Sequence, residues 1–414
     1  MHRTSLPTGP APPATTAAPR VARLPQVDVM RLLICASVVV THVVGNANPW
    51  ESVPANGVVN LLHYTRQAFF FISALVLVHA SRRGPGQLRR RVSVLGVPYL
   101  VWSTIYAVLG LVTAYSWWAA KRLPWTWFVG LFQGTDGYHM YFLLVSVEFA
   151  VVFPLFLRLL EATRGHHGWL LVISGALEVA IMAIFHYVYQ PDGWWRAVAG
   201  ESSLTAYQFW VVAGGVAALN LDRFHAWLTA HRRLVWASFA VICLVATAIF
   251  LADVAAGEAP EFAGRSLQPI TVPLSLAAIG AFYLLSVRIG EIRQPAVRRA
   301  VDFGTYLSFG IYLCHPALLT GLLYLQHQLP PAVLRYPVAV TAVQCVLDFA
   351  LATALAAGLS RTRWSKALVG RPRRRATPAG DATPAGDANP ATAAAGALHD
   401  PGSSVTPEAA PARS

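Results

Sequence analysis

Ten long apolar stretches, separated by short polar or basic connections, follow one another between residues 27 and 359. As α-helices, most of them are long enough to cross the roughly 30 Å hydrocarbon core of a bilayer. The shortest are 206–221 and 271–287. The other eight are 27–45, 58–80, 92–115, 137–160, 169–189, 234–253, 304–325 and 337–359. Because a single segment in hydrocarbon satisfies its backbone polar groups only as a helix, the pattern predicts an all-α, polytopic membrane bundle of about ten transmembrane helices.

The composition supports this fold class and suggests where the membrane domain ends. Of the 414 residues, 55% are hydrophobic and 12% are charged, and the mean hydropathy is +0.49. A soluble domain has about one-quarter charged residues. We expect a disordered cytoplasmic leader over 1–24 and one transmembrane domain over 25–361. Residues 362–414, basic and then rich in Ala, Pro and Gly, are expected to form a disordered cytoplasmic tail.

The distribution of basic residues predicts the orientation of the chain. Short cytoplasmic loops collect Lys and Arg. The connections of one set carry Arg82, Arg83, Arg89, Arg90, Arg91, Arg158, Arg164, Arg223, Arg232, Arg233, Arg288, Arg293, Arg298 and Arg299. The opposite set carries only Lys121, Arg122, Arg196, Arg265 and Arg335. Both termini are therefore predicted to lie in the cytoplasm, with the chain integral to the plasma membrane as a multi-pass protein.

The formal charge of +13 does not indicate a nucleic-acid partner, because the basic residues are spread over membrane-proximal loops and not gathered on one face. The four cysteines, Cys35, Cys243, Cys314 and Cys345, all fall in predicted spans without metal-ligand spacing. We expect four free thiols and no metal site.

Three ionisable residues share one face of the first predicted helix. His42 follows Arg31 by eleven residues, and eleven steps of about 100° return nearly to the same azimuth, about 16 Å along the axis. Asp28 and Cys35 lie on the same stripe. A neutral histidine in the outer half of the membrane could remove a proton from a hydroxyl. Alternatively, it packs by a hydrogen bond to a neighbouring helix; the shared stripe favours the functional interpretation.

Polar residues in the ninth predicted span also share a face. Ser308, Tyr312 and His315 are spaced by four and three, and His315 lies at a depth similar to that of His42, which suggests one cavity. Two structural alternatives remain: His315 forms a hydrogen bond to the first helix, or Pro316 kinks its helix and frees a backbone carbonyl that His315 or Tyr312 satisfies. His139 opens the fourth span, where it could line the cavity or contact lipid headgroups.

Two sets of arginines have both a functional and a structural interpretation. Arg66, at the outer start of the second span, could serve the site or extend its charge to the interface. The cluster Arg89, Arg90 and Arg91 could hold the phosphates of a nucleotide-bearing donor through bidentate contacts. Orientation of the chain and contact with anionic lipid explain that cluster equally well.

The motifs and their order resemble those of the acyltransferase 3 family of integral-membrane acyltransferases. That family opens with Asp-x-x-Arg and an Arg, ten residues, His motif, found here as Asp28, Arg31 and His42. A Phe-Phe-x-x-Ser-Gly motif corresponds to the segment that ends in Ser73, with Ala74 in place of the glycine.

Three later landmarks complete the resemblance, which covers about residues 25–359. An arginine pair leading to Pro-Tyr is present as Arg90, Arg91, Pro98 and Tyr99, although Val94 stands where a further arginine is common. A His-x-Trp-Phe-Leu motif with a later proline corresponds to His139, Tyr141, Phe142, Leu143 and Pro154, with tyrosine for tryptophan. The late Ser-x-x-x-Tyr-x-x-His signature is Ser308, Tyr312 and His315.

The resemblance implies an O-acyltransferase that moves an acyl group, often acetyl, from cytoplasmic acyl-coenzyme A to a hydroxyl of a glycan, lipid-linked sugar or small glycoside. The acyl-coenzyme A is a co-substrate, and no permanently bound cofactor is implied. We expect His42 to be the general base, with Arg31 and Asp28 orienting the donor or stabilising charge. The expected substrate cavity comprises Arg66, Ser73, His139, Ser308, Tyr312 and His315. Arg89, Arg90 and Arg91 are candidates for the coenzyme A phosphates.

Two other functions fit some of these residues. In a transporter, Arg31, His42 and His315 would bind a substrate or relay protons, and an inverted internal repeat would support that function. We find no such repeat by inspection of the sequence. In a membrane scaffold, the polar groups would only fix helix packing, so that His42→Ala would change stability more than activity.

Overall fold

The computed structural model describes residues 24–81, 87–188, 200 and 202–373, with only the backbone described for 87–91. This part of the chain is helical and contains no strand. A π-helical turn covers Ile184–Val188 and a 3-10 turn covers Leu204–Tyr207. The α-helices are α1 (Pro25–Ala47), α2 (Val53–Leu62), α3 (Tyr64–Ser81), α4 (Gln87–Thr113), α5 (Trp117–Gln133), α6 (Met140–Ala162), α7 (His167–Ala183), α8 (Gln208–Leu219), α9 (Leu221–Ala230), α10 (Arg232–Ala255), α11 (Pro260–Ala263), α12 (Thr271–Glu291), α13 (Pro295–Gln326), α14 (Pro331–Leu334), α15 (Pro337–Leu359) and α16 (Ser365–Val369).

The predicted all-α, polytopic membrane bundle is confirmed. Within the described residues, nine helical segments are long and apolar enough to cross a membrane. The predicted span 206–221 is the exception: it corresponds to α8 and the turn before it, and this segment meets α9 at a bend of 96°, so that only the two together would make a tenth span. The second span is also interrupted, because α2 and α3 meet at His63.

Helix α1 lies at the centre of the bundle, in contact with α2, α3, α12, α13 and α15. Its two buried sides belong to different hydrophobic clusters: Met30 and Ile34 pack in one, Val39 and Val43 in the other. The apolar residues of α1 therefore join two cores. Three polar residues near its C-terminal end, Thr41, His42 and Asn46, line a cavity.

Helices α3 and α8 approach closely because small residues meet at their contact. A Cβ atom at Gly214 would collide with the carbonyl oxygen of Phe71 and lie 3.0 Å from the Cβ of Ala74. Small residues that let backbones approach are typical of membrane helix pairs. Here the glycine is on α8, opposite Ala74, the position at which the motif of the second span usually has glycine itself.

A buried carboxylate holds the N-terminal end of α8. Glu178 of α7 is 1% exposed and accepts hydrogen bonds from the Nε2 of Gln208 (3.1 Å), the backbone N–H of Phe209 (3.4 Å) and the Nε1 of Trp210 (3.0 Å). The first N–H groups of a helix have no partner within the helix, so a side-chain acceptor at this end satisfies one of them. Glu178, to which the sequence alone assigned no role, thus fixes α8 against α7.

The structure differs from the predicted start of the disordered tail at residue 362. The short helix α16 packs against α4, where the Nε1 of Trp102 donates to the carbonyl of Leu368 (2.9 Å). Ser365 and Val369 are almost completely buried. The basic sequence that follows residue 361 therefore begins with a segment anchored to the bundle. Residues 1–23 and 374–414, which contain most of the two predicted disordered segments, lie outside the described residues.

Candidate functional site

His42 lies near the C-terminal end of α1 and faces a cavity of about 300 Å³. Its side chain is partly exposed to this space, and within the described residues its ring forms no hydrogen bond. The cavity is lined by Val38, Thr41, His42, Asn46, Thr65, Arg66, Phe69, Tyr138, His139, Tyr141, Phe142 and Tyr312. These residues come from α1, α3, α13 and the start of α6, so the cavity forms only when four parts of the chain assemble.

Three histidines form one cluster: His42 and His139 line the cavity, whereas His315 is fully buried, does not line it and contacts both of their rings. The rings of His42 and His315 stack with their centroids 5.5 Å apart, and the rings of His315 and His139 lie 5.7 Å apart. The Tyr138 ring also contacts His42, at 4.7 Å between centroids. The prediction that His42 and His315 share one site is consistent with this geometry. His139 is 1% exposed, so the alternative in which it contacts lipid headgroups is wrong.

Pro316 determines how the His315 ring is held. Proline has no backbone N–H, so the carbonyl of Tyr312, four residues earlier, loses its helical partner. The Nδ1 of His315 lies 2.9 Å from that oxygen and 3.2 Å from the carbonyl of Ile311. A neutral ring can make these contacts only by donating from Nδ1, which leaves Nε2 without a proton. Helix α13 continues through Pro316, and the histidine satisfies the freed carbonyl, as one of the structural interpretations of the sequence required.

Tyrosine hydroxyls join the helices that carry the histidines. The hydroxyl of Tyr312 donates to the backbone carbonyl of His139 (2.6 Å), and that of Tyr106 donates to the carbonyl of Leu313 (2.7 Å). The Tyr106 ring also packs edge-on against His139, at 4.8 Å. Both bonds are buried, where a hydrogen bond is strengthened by the low dielectric. These bonds therefore hold the backbone at His139 and, two residues before His315, at Leu313.

Arg66 reaches the cavity from the break between α2 and α3. Its Nη2 lies 3.3 Å from the Nδ1 of His63, and its guanidinium carbon is 5.9 Å from the centre of the Tyr141 ring. The Nε2 of His63 is 2.6 Å from the carbonyl of Gly264. Because Arg66 can only donate, His63 accepts at Nδ1 and donates from Nε2. The chain Gly264–His63–Arg66 orients the guanidinium toward the cavity.

Arg31 and Asp28 lie at the opposite end of α1 from His42. Their side chains form an ion pair, with 3.5 Å between Nη1 and Oδ1, and both are partly exposed. Eleven residues of helix place Arg31 about 16 Å from His42 along the axis. Neither residue lines the cavity, so their predicted contact with the donor would be made at the other face of the bundle.

The remaining expected site residues are not part of this cavity. Ser73 follows Arg66 by two turns on the same face of α3. Ser308 is buried between α13 and α1, where its hydroxyl donates to the carbonyl of Thr305 (3.0 Å) and its own carbonyl accepts from the Sγ of Cys35 (3.3 Å). The side chains of Arg89, Arg90 and Arg91 lie outside the described residues.

Several residues of the site were not predicted from the sequence: Tyr138 and Asn46 line the cavity, and His63 holds Arg66 there. His63 sits at a helix break that hydropathy does not reveal, and its partner Gly264 is about two hundred residues away. Tyr138 adjoins His139, and Asn46 follows His42 by one helical turn; both positions were signals that could have been used. Among the described residues, no group of three or more His, Cys, Asp or Glu side chains has an arrangement that would hold a metal ion.

We expect Asp136, in the loop before His139, to make stability depend on pH. Burial raises the pKa of its carboxyl from 3.8 to about 6. Between these values the folded protein keeps a proton that the unfolded chain releases, so stability falls as the pH rises through this window. Thermal unfolding of the detergent-solubilised protein at several pH values should show this fall, and Asp136→Asn should lessen it. An equal slope in both proteins would contradict the prediction.

The comparisons with known proteins give the family. A family model described as an acyltransferase domain matches residues 24–356, which is most of the chain. No curated protein and no solved structure matches significantly. The matched region contains all the helices that form the histidine cavity. The multi-pass membrane bundle, the order of its motifs and this match agree, and the chain belongs to the acyltransferase 3 family of membrane acyltransferases.

Proposed function

We propose that this protein transfers an acyl group, in the first instance acetyl, from cytoplasmic acyl-coenzyme A to a hydroxyl group of a glycan, lipid-linked sugar or small glycoside. The observation that carries the proposal is the position of His42. Of the motif residues Asp28, Arg31 and His42, only His42 lines the cavity, and its ring stacks on that of His315. Membership of the family supports acyl transfer in general.

The arrangement suits general-base catalysis. His42 would take the proton of the acceptor hydroxyl as the oxygen attacks the thioester carbonyl. When the carbon–sulfur bond breaks, the protonated His42 would return the proton to the departing thiolate, so that an ester and free coenzyme A are formed. His315, with Nδ1 committed to backbone carbonyls, would support the ring of His42 by stacking. The proton balance requires no further co-reactant.

Arg66 would be the arginine that acts during the reaction. It lines the same cavity as His42, and its positive charge would favour the negatively charged tetrahedral intermediate over the neutral thioester. Arg31, about 16 Å away along α1, would instead contact the donor near its entry. The aromatic walls formed by Phe69, Phe142 and Tyr312 would provide apolar surface for the acyl chain or a sugar face.

The test is acyl transfer by the purified, full-length protein in liposomes. Acetyl-coenzyme A labelled in its acetyl group is supplied together with a hydroxyl-rich envelope extract, and thiol release and labelled product are measured together. We expect thiol and ester to form in equal amounts, with the label released by hydroxylamine. Uptake of a labelled substrate without consumption of acetyl-coenzyme A would instead establish transport.

A further inference from the structure

A second cavity, of about 430 Å³, opens at the end of the bundle away from the histidines. Helix α6 begins beside His42 and runs for 23 residues, so its end at Ala162 reaches the opposite face. The cavity lies there, between the α6–α7 connection and the bend that separates α8 from α9. This is the face that the arginine distribution assigns to the cytoplasm. No residue of this cavity belongs to the histidine site.

The walls of the second cavity are basic. Arg164 comes from the α6–α7 connection and Arg223 from the first turn of α9, and no acidic side chain lines the space. Both arginines are exposed, and neither forms an ion pair within the described ranges. His167 completes one wall, with its Nε2 held 2.9 Å from the carbonyl of Leu160.

Two helices also begin at this cavity. Helix α7 begins at His167 and α9 at Leu221, and neither first turn is capped by a side chain; the first turn of α9 also carries Asp222, which does not line the cavity. The amide of Asn220, which could have capped α9, donates to the carbonyl of Val216 instead (3.0 Å). The free N–H groups and the dipole of a helix N-terminus favour an anion. Orientation in the membrane explains arginines on this face, but not a cavity in which two arginines and two uncapped helix starts converge.

We infer that this cavity binds a phosphate group. Guanidinium groups hold phosphate oxygens by paired, charge-assisted hydrogen bonds, and the two helix starts would add backbone donors. Two sources could supply the group at this face: the nucleotide part of coenzyme A, or the headgroup of an anionic lipid. The first source rests on the proposed function and would deepen it, whereas the second is independent of it.

The experiment measures binding to the full-length protein in lipid nanodiscs. The variant R164A/R223A removes the charge of the cavity, and R232A/R233A is the matched control, because it removes two exposed arginines on the same face outside the cavity. A third variant, Gly168→Leu, keeps every charge. Gly168 lines the cavity, and a Cβ there meets no atom within 4 Å, so a leucine side chain would begin in open space at the cavity wall.

Calorimetry with coenzyme A and with dephospho-coenzyme A tests the first source, and native mass spectrometry of retained phosphatidic acid tests the second. We expect R164A/R223A and Gly168→Leu to weaken the binding of either coenzyme A or phosphatidic acid by about tenfold or more. R232A/R233A should change the binding of both ligands little. If the cavity variants weaken the binding of coenzyme A but not that of dephospho-coenzyme A, the bound group is the 3′-phosphate of the donor. Loss of phosphatidic acid alone identifies the lipid.

Two results would overturn the inference. In the first, R164A/R223A and R232A/R233A lose ligand affinity equally, which indicates an effect of general surface charge. In the second, neither R164A/R223A nor Gly168→Leu loses ligand affinity. Because binding is measured without turnover, its failure is distinct from failure of the proposed acyl transfer. Thermal unfolding of each variant verifies that it is folded.

Discussion

Replacement of His42 by glutamine is expected to lower kcat for acyl transfer by about 10²-fold to 10⁴-fold, the usual contribution of a general base. Glutamine is similar in size and polar, so the packing around Thr41 and Tyr138 should persist while the proton acceptor is lost. Labelled-acetyl transfer at saturating donor and acceptor measures kcat. The KM for acetyl-coenzyme A should change little, because the nucleotide part of the donor lies far from this residue in the proposed arrangement.

His231→Gln is the matched control for His42→Gln. His231 is an exposed histidine that stacks on Trp227 (4.9 Å between centroids), outside the histidine cavity. The His231→Gln protein should retain full acyl-transfer activity. His315→Gln should fall between the two, because it removes the stacked support of His42 but not the base itself. If His42→Gln unfolded at a much lower temperature and the remaining folded protein were fully active, His42 would be a packing residue and the general-base assignment would be wrong.

Gly214→Val is expected to have the largest effect on stability. A Cβ at this position overlaps the backbone oxygen of Phe71, which cannot move aside as a side chain can. Helices α3 and α8 would have to separate, and overpacking of this kind usually costs about 1–3 kcal/mol or more. Because α3 carries Arg66 and Phe69, the shape of the histidine cavity should change as well. Thermal unfolding in detergent, together with the yield of monodisperse protein, measures the effect.

Gly168→Val provides a control for the glycine substitution itself. Gly168 is also helical, but a Cβ there meets no atom within 4 Å, and valine is a better helix former than glycine, so Gly168→Val should cost little or no stability. A Gly214→Val protein as stable as Gly168→Val would show that the two helices can move apart freely. The close contact of α3 and α8 would then not limit stability.

The recognisable parts of the site are those that lie within one helix. The spacing of Arg31 and His42 and that of Tyr312 and His315 follow from helix periodicity, which needs no knowledge of neighbouring elements. The His315–Pro316 pair even predicts a local hydrogen bond, since the missing N–H and the freed carbonyl are four residues apart. The structure contains that bond.

The contacts between helices could not be predicted in this way. His63 bonds to Gly264, Glu178 to Trp210 and Tyr312 to the backbone of His139, and in each pair the partners lie on separate helices or connections. Hydropathy gives the length of each span but not which face of a helix meets which neighbour, because lipid and a neighbouring apolar helix are similar surroundings for a side chain.

By itself, the sequence determined the all-α membrane bundle, nearly all its spans and the motif residues of the acyltransferase 3 family. It did so because the bilayer requires each span to satisfy its own backbone, and because motifs on one helix keep fixed spacing. Only the tertiary structure decided that Arg66, and not Arg31, shares a cavity with His42, that His139 is buried, and that α8 and α9 bend apart at Asn220. These features depend on contacts between distant segments, which form only when the helices pack together.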